Sequence, residues 1–201
     1  METRENIEVK IARTEEELNQ VLSIRYKVFG EERGNFDISK YPEEKESDKY
    51  DFLDSTIKFL ALYDNHAAGT IRLIMDSAHG LPMESSVDLS LYRTEGSKMA
   101  QASRIAVLKE YREKGMGRIL FESLINYALS KKLTDLYATA STDEKKMKFY
   151  RSLGWYEIGN PFFCEPFNDH IVPIRLELDK INLSAFISQN IEKNKLYKKG
   201  K

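Results

Sequence analysis

Arg112, Lys114 and Arg118 surround two glycines, Gly115 and Gly117, in the run YREKGMGR that opens a long apolar helical pattern reaching about Lys132. A strand pattern, SRIAVL, leads into this turn. Glycine tolerates backbone angles that other residues resist and lets a ligand come close to the main chain. The first amides of a helix have no internal acceptor and point outward at the positive end of its dipole. The chemistry this spacing offers is a cradle for a diphosphate, with a solvated basic turn as the alternative; the six residues leave both open. The spacing is not the GxGxxG of a dinucleotide loop.

Charged residues make the second pattern. Arg25 falls on an apolar helical stripe with Leu18, Val21, Leu22, Val28 and Phe29. A cation on such a face requires a carboxylate, and the segment EKESDKYD supplies Glu46, Asp48 and Asp51. These residues make either a salt-bridge clamp or part of a substrate site. Arg104 alternates with Ala100, Ala102 and Ala106, and Arg72 with Thr70 and Ile74, so two arginines are expected to line one cleft suited to an anionic substrate. Tyr150 recurs with Met147 and Leu153 at helical spacing, the pattern of a core aromatic.

The elements that must hold these residues follow from periodicity and capping. Ile7–Ala12 alternates as a strand, and Thr14 with Glu17 forms a capping box that opens a helix through Phe29. Gly30–Asp54 is charged and aperiodic, a loop with at most a short helix. Two strands, STIKFLALYDN and GTIRLIMDS, are joined by a turn between Asp64 and Gly69. Residues 77–97 are irregular. KMAQASRIAVL and DLYATAS are strands on either side of the glycine-led helix, DEKKMKFYRSLG is a short helix stopped at Gly154, and WYEIGNPFF and HIVPIRLELD close the sheet. The order implies a mixed α/β domain over 1–180, followed by a C-terminal helix and basic tail over 181–201.

Composition sets the outer limits. The chain has 201 residues, 41% hydrophobic, with 10 Phe and 11 Tyr, enough for a packed core, and a net charge of −1. No global basic field draws it to nucleic acid; the tail NKLYKKGK reads as a solvated terminus. The single cysteine, Cys164, excludes an internal disulfide, fits a reducing compartment and reads as a small core residue. No run approaches a membrane span, METRENIEVK lacks the apolar stretch of a signal peptide, and the three histidines have no metal-ligand spacing; the expectation is a cytoplasmic protein without a metal.

Arg112-x-x-Gly115-x-Gly117 after a strand resembles the acyl-CoA loop of the GNAT superfamily of N-acyltransferases, and FYRSLGWYEIG, Phe149–Gly159, is similar to that family's Phe-Tyr-x-x-x-Gly-aromatic block. The resemblance implies a centrally splayed sheet of about seven strands flanked by helices. It implies a pantetheine thioester, acyl-CoA (acetyl or longer) or acyl carrier protein, lying between the strand that ends near Leu108 and DLYATAS. The arm would pair with the backbone of Ile105, Ala106 and Val107, with an oxyanion donor near Ala106. The pyrophosphate would sit on the amides of Met116, Gly117 and Arg118, beside Arg112, Lys114 and Gly115. Phe149 and Asp143 would touch the arm, Asp143 standing where many members have Asn. Tyr150 matches the acid that serves the leaving thiolate while a primary amine attacks.

A narrower resemblance is to the acyl-homoserine-lactone synthases and the related N-acyl amino acid synthases. It rests on Arg25-x-x-Val28-Phe29, Glu46-x-Asp48-x-x-Asp51, Gly69-x-x-Arg72-Leu73 and Ser103-Arg104, all in order. It implies that Arg25, Phe29, Glu46, Asp48, Asp51, Arg72 and Arg104 bind the small amine. Gln101 stands where the lactone synthases carry Glu, Gly34-Asn35-Phe36 stands where they usually carry a Trp, and the glycine loop is intact; these departures favour an amino acid or another amine over lactone synthesis. A monomer or homodimer is expected. The alternative is a non-catalytic relative that binds acyl-CoA as a sensor.

Overall fold

The computed structural model describes residues 6–165 and 168–181. The expected C-terminal helix and basic tail over 181–201 lie outside them, apart from residue 181. Strand β1, Ile7–Ile11, leads to helix α1, Glu15–Arg25, which starts as its capping box dictates: Thr14 Oγ1 accepts from the Glu17 amide at 3.2 Å and Glu17 Oε2 accepts from the Thr14 amide at 3.1 Å.

The expected single helix through Phe29 changes type at Arg25. Tyr26–Glu32 is a π-helical turn. Its wider winding shifts every following side chain around the axis, so a stripe drawn at one period does not describe both halves. Val28 and Phe29 are buried, whereas Leu18 and Leu22 are only half-buried. Gly30 allows this turn to close: a Cβ there would lie 2.7 Å from the Phe36 ring and 2.9 Å from Ile38. The charged stretch that follows holds two short 3-10 turns, Ile38–Lys40 and Lys49–Phe52.

Strands β2, Thr56–Tyr63, and β3, His66–Met75, form a hairpin whose turn is only Asp64-Asn65, both at positive φ (46° and 67°), shorter than the expected Asp64–Gly69 turn. Gly69 is thus inside β3, where a Cβ would press on Met116 Sδ at 3.0 Å and on the Ala106 carbonyl at 3.1 Å. Then come β4 (Met99–Val107), α2 (Met116–Ser130), β5 (Asp135–Ser141), α3 (Glu144–Ser152), β6 (Tyr156–Glu157), β7 (Phe162–Cys164) and β8 (Asp169–Glu177). Among the described residues eight strands stand where about seven were expected, because Gly159-Asn160-Pro161 breaks WYEIGNPFF into β6 and β7, each pairing with β8. Cys164, expected in the core, is half-buried on β7.

The sheet order is β1-β2-β3-β4-β5-β8-β6, antiparallel except at β4–β5. That parallel pair has only three rungs, from Met99↔Asp135 to Gln101↔Tyr137, after which the strands part. A bulge accompanies the divergence: Thr70 faces Ala106 and Arg72 faces Ser103, so Arg104 and Ile105 together oppose Ile71, with Arg104 at φ 55°. Bulges bend a strand and increase its twist.

The bulge also corrects the expected shared face. Ala100 and Ala102 pack under α2 with Leu120, Leu124 and Trp155, whereas Ala106 packs on the opposite side with Val21, Val28 and Leu108. Arg104 follows Ala106, not the earlier alanines. Loop 77–97 lies against a third cluster of Leu81, Met83, Leu89, Met99 and Tyr137. It is pinned by Arg93, whose guanidinium bridges Asp76 and Glu84. Among the described residues no helix is long and apolar enough to cross a membrane.

Candidate active site

A cavity of about 940 Å³ occupies the gap between β4 and β5 and passes from one face of the sheet to the other. On the α2–α3 side its wall is Ile105, Val107, Met116, Gly117, Phe121, Phe149 and Tyr150. On the α1 side it is Phe29, Asp48, Arg72, Gln101, Ser103 and Arg104.

At the first end, Gly115 takes φ 79° and α2 begins at Met116. The Arg118 amide already donates to the Gly115 carbonyl at 3.1 Å, so the outward-facing amides of the first turn are those of Met116 and Gly117, one fewer than expected. A Cβ on Gly117 would meet no atom within 4 Å. No steric demand of the fold therefore requires glycine at 117, and the residue leaves open the space in front of these amides. The three cations hold protein partners. Arg112 Nε donates to the Val107 carbonyl at 2.9 Å and its fork pairs with Glu32; Lys114 lies 4.3 Å from the Tyr63 ring centroid; Arg118 Nε bonds Glu122 at 2.9 Å.

Tyr150 sits in an aromatic group with Phe121, Phe149 and Trp155 while its side chain lines the cavity, so core and site roles coincide. Burial pushes its phenol up to about 12, with Arg33 pulling weakly the other way. Asp143 caps α3, its carboxylate accepting from the Lys146 amide at 3.0 Å; it is not on the cavity wall, and neither are Lys114 and Ala106. A carboxylate at this position suits the positive end of the short helix.

At the α1 end three arginines and three carboxylates interlock. Arg25 is fully buried and forks onto Asp51 at 2.8 and 3.0 Å while Nε meets Glu46. Arg72 forks onto Asp48 at 2.7 and 2.9 Å, reaches Asp51 at 3.0 Å and donates through Nε to Ser103 at 3.0 Å. Arg104 links Glu46 at 3.0 Å and Asp48 at 2.9 Å. Burial alone would raise the Asp48 and Asp51 carboxyls, but hydrogen bonds and charge from Arg25 and Arg72, with Arg104 at Asp48, hold both below the usual carboxylate range. Desolvation lowers the Arg104 guanidinium.

Of the seven residues expected at the small amine, Phe29, Asp48, Arg72 and Arg104 reach the cavity. Arg25, Glu46 and Asp51 do not. They form the clamp behind the wall.

Several cavity residues had no signal in the sequence: Arg33, Tyr111, Lys145, Lys146 and Asp169. Arg33 ends the π-helical turn, with its guanidinium 5.6 Å from the Phe29 ring centroid, and only the altered winding brings it round. Asp169 arrives because β8 pairs antiparallel with β5, Ile171 opposite Ser141.

A profile of the family described as N-acyl amino acid synthase FeeM matches residues 20–177. The chain belongs to that family. L-ornithine N(alpha)-acyltransferase of Agrobacterium fabrum is 28% identical over 67% of this chain, and the match spans half of that enzyme's length. Among solved structures, FeeM, an N-acyl amino acid synthase from uncultured soil microbes, superposes with a TM-score of 0.75 at 24% identity, covering 90% of this chain and 98% of the other. BjaI, a CoA-dependent acyl-homoserine lactone synthase solved with SAM and isopentyl-CoA, does so with 0.71 at 21% identity over 92% and 89%. The same open mixed sheet recurs in an acetyltransferase of the GNAT family. The family and the ornithine enzyme are acyltransferases, and their chemistry is acyl transfer to an amine.

Proposed function

We propose that this member of the N-acyl amino acid synthase FeeM family moves an acyl group from a pantetheine thioester to the primary amine of a small molecule, an amino acid being the class the family name and the cavity support. The observation that carries the reading is the three-rung β4–β5 pairing, which opens a through-sheet cavity with a helix N-terminus at one face and a buried charge network at the other.

The thioester arm lies along Ile105–Val107, taking the place of the missing rungs, with its phosphates before the Met116 and Gly117 amides. The space in front of Gly117 supports this placement. Acyl-CoA is favoured over acyl carrier protein: Arg33, Arg112, Arg118, Lys145 and Lys146 all contribute to the cavity wall, which suits a phosphate-rich nucleotide more than a single phosphodiester. The amine enters from the α1 face beside Asp48, Arg72 and Arg104. The Asp48 oxygens already accept from Tyr50, Arg72 and Arg104, so the amine reacts from its own neutral fraction, an α-amino group having a pKa of about 8.

Its lone pair forms the C–N bond, an N–H of the Ile105–Val107 stretch holds the oxyanion, and the C–S bond breaks as the nitrogen proton passes to water. Tyr150 stays protonated throughout the working range. A thiol, with a pKa of about 8.5, is the stronger acid, so the phenol steadies the departing thiolate by a hydrogen bond instead of surrendering its proton.

The test is release of free thiol from acyl-CoA of graded chain length against a panel of amino acids and simple amines. Turnover is expected with acyl-CoA and a carboxylate-bearing amine. Calorimetric binding of acyl-CoA without thiol release from any amine would instead establish the sensor.

A further inference from the structure

Gln101 occupies the last rung of the β4–β5 pair, opposite Tyr137, at the point where the strands begin to part. Only 4% of it is exposed, yet it lines the cavity. Its Oε1 accepts from the Met83 amide at 2.9 Å. A backbone N–H can only donate, so this contact fixes which way round the side-chain amide lies and directs Nε2, with two N–H groups, to the other side. Among the described residues no acceptor is paired with Nε2. Nε2 is not among the fully buried atoms without a partner, so it lies open to the cavity, where an oxygen of a ligand can accept from it.

The neighbouring wall narrows what that partner is. Arg72 and Arg104 present donors only, and Asp48 already accepts from both and from the Tyr50 amide. With the Asp48 oxygens taken up in this network, an oxygen-bearing group of a ligand, such as a carboxylate, is the acceptor that Nε2 can meet.

We propose that Gln101 is a specificity-determining residue: its Nε2 donates to the carboxylate of the small substrate, selecting amines that carry one. The assignment of the α1 end of the cavity to the amine rests on the acyl-transfer reading above. Loop 77–97 takes part through Met83, because its amide holds the Gln101 carboxamide in the one orientation that aims donors at the cavity.

A matched pair of product analogues tests this: N-octanoylglycine and N-methyloctanamide, which differ only in the carboxylate. Calorimetry on the purified chain should show the wild type binding the first at least about tenfold tighter, the usual worth of a hydrogen bond to a charged group. Gln101→Glu can still accept from Met83 but presents an anion, and should bring the ratio to about one or reverse it. Gln101→Met should also bring it close to one. Because each ratio is taken within one protein, a lower melting temperature in either variant does not affect the reading. A wild-type ratio near one, no binding of either analogue, or a ratio that survives both substitutions overturns the proposal. Thiol release tests the catalytic reading separately. Turnover with no carboxylate preference removes the role of Gln101 alone, whereas a Gln101-dependent preference without turnover leaves the carboxylate subsite standing and removes the enzyme.

Discussion

Gly115 and Gly117 are two residues apart and do different physical work. Gly115 stands at φ 79°, where any side chain is strained; Gly117 has neither a positive φ nor a neighbour within 4 Å of its missing Cβ. Gly117→Ala should therefore leave the protein as stable or up to about 1 kcal/mol more so, since alanine favours helix, while weakening acyl-CoA binding severalfold. Gly115→Ala should lose about 1 kcal/mol. Thermal unfolding alongside calorimetry separates the two. Tyr150→Phe keeps the ring packed on Phe121 and Trp155 and removes only the hydroxyl. It should lower kcat about tenfold, the modest effect of a hydrogen bond to a leaving group, with little change in the KM for the thioester. With the phenol at about 12, kcat should show no alkaline fall from this residue up to about pH 10, and kcat/KM for the amine should rise as the amine deprotonates near pH 8. An alkaline limb in the wild type that vanishes in Tyr150→Phe would contradict this.

The π-helical turn Tyr26–Glu32 connects the two ends of the cavity. Phe29 lines the wall, and Glu32, at the end of the turn, accepts from the Lys109 amide at 3.2 Å and pairs with Arg112 in the glycine loop. Its winding depends on Gly30, where a Cβ would press on a Phe36 ring that is itself packed at a tilt against Tyr41, 4.5 Å between centroids, and so is not free to retreat. Gly30→Ala should cost about 1–3 kcal/mol by overpacking, measured by urea unfolding, and should also reduce activity by moving Phe29. Equal stability with intact activity would show that the turn tolerates ordinary α-helical winding. The bulge at Arg104 is the companion device on β4: it carries one residue across to the α1 face and lets the strand leave its partner.

The buried charges tie the N-terminal segment to the centre of the sheet. Arg25, on α1, answers Glu46 and Asp51; Arg72 on β3 and Arg104 on β4 share Asp48. Removing one partner leaves the others buried and uncompensated, so Arg25→Ala should cost about 3–5 kcal/mol. The acid side of the stability profile follows from Asp48 and Asp51, whose folded carboxyls lie below the usual range. Above the unfolded carboxylate value of about 4 both states are ionised and the contribution is complete; as pH falls below it the unfolded chain binds protons first and stability drops. The melting temperature should hold between pH 5 and 8 and fall steeply below about 4. Asp51→Asn should flatten that fall while lowering the neutral value; an unchanged acid slope would exclude the network as its source.

Local chemistry in the chain marked most of the elements and the glycine-led start of α2. Thr14 with Glu17 set the start of α1, alternation marked the strands, and Gly115-Met116-Gly117 after a strand marked the helix mouth, because capping and periodicity act over a few residues. The charge pattern likewise called for carboxylates around Arg25. Tertiary structure alone decided which of those charges face the cavity. That depends on a non-glycine residue at positive φ in β4, on a change of helical period after Arg25, and on β8 returning from thirty residues downstream to lie against β5. None of these leaves a local pattern, since each is held in place by packing between distant segments and not by the residues that display it.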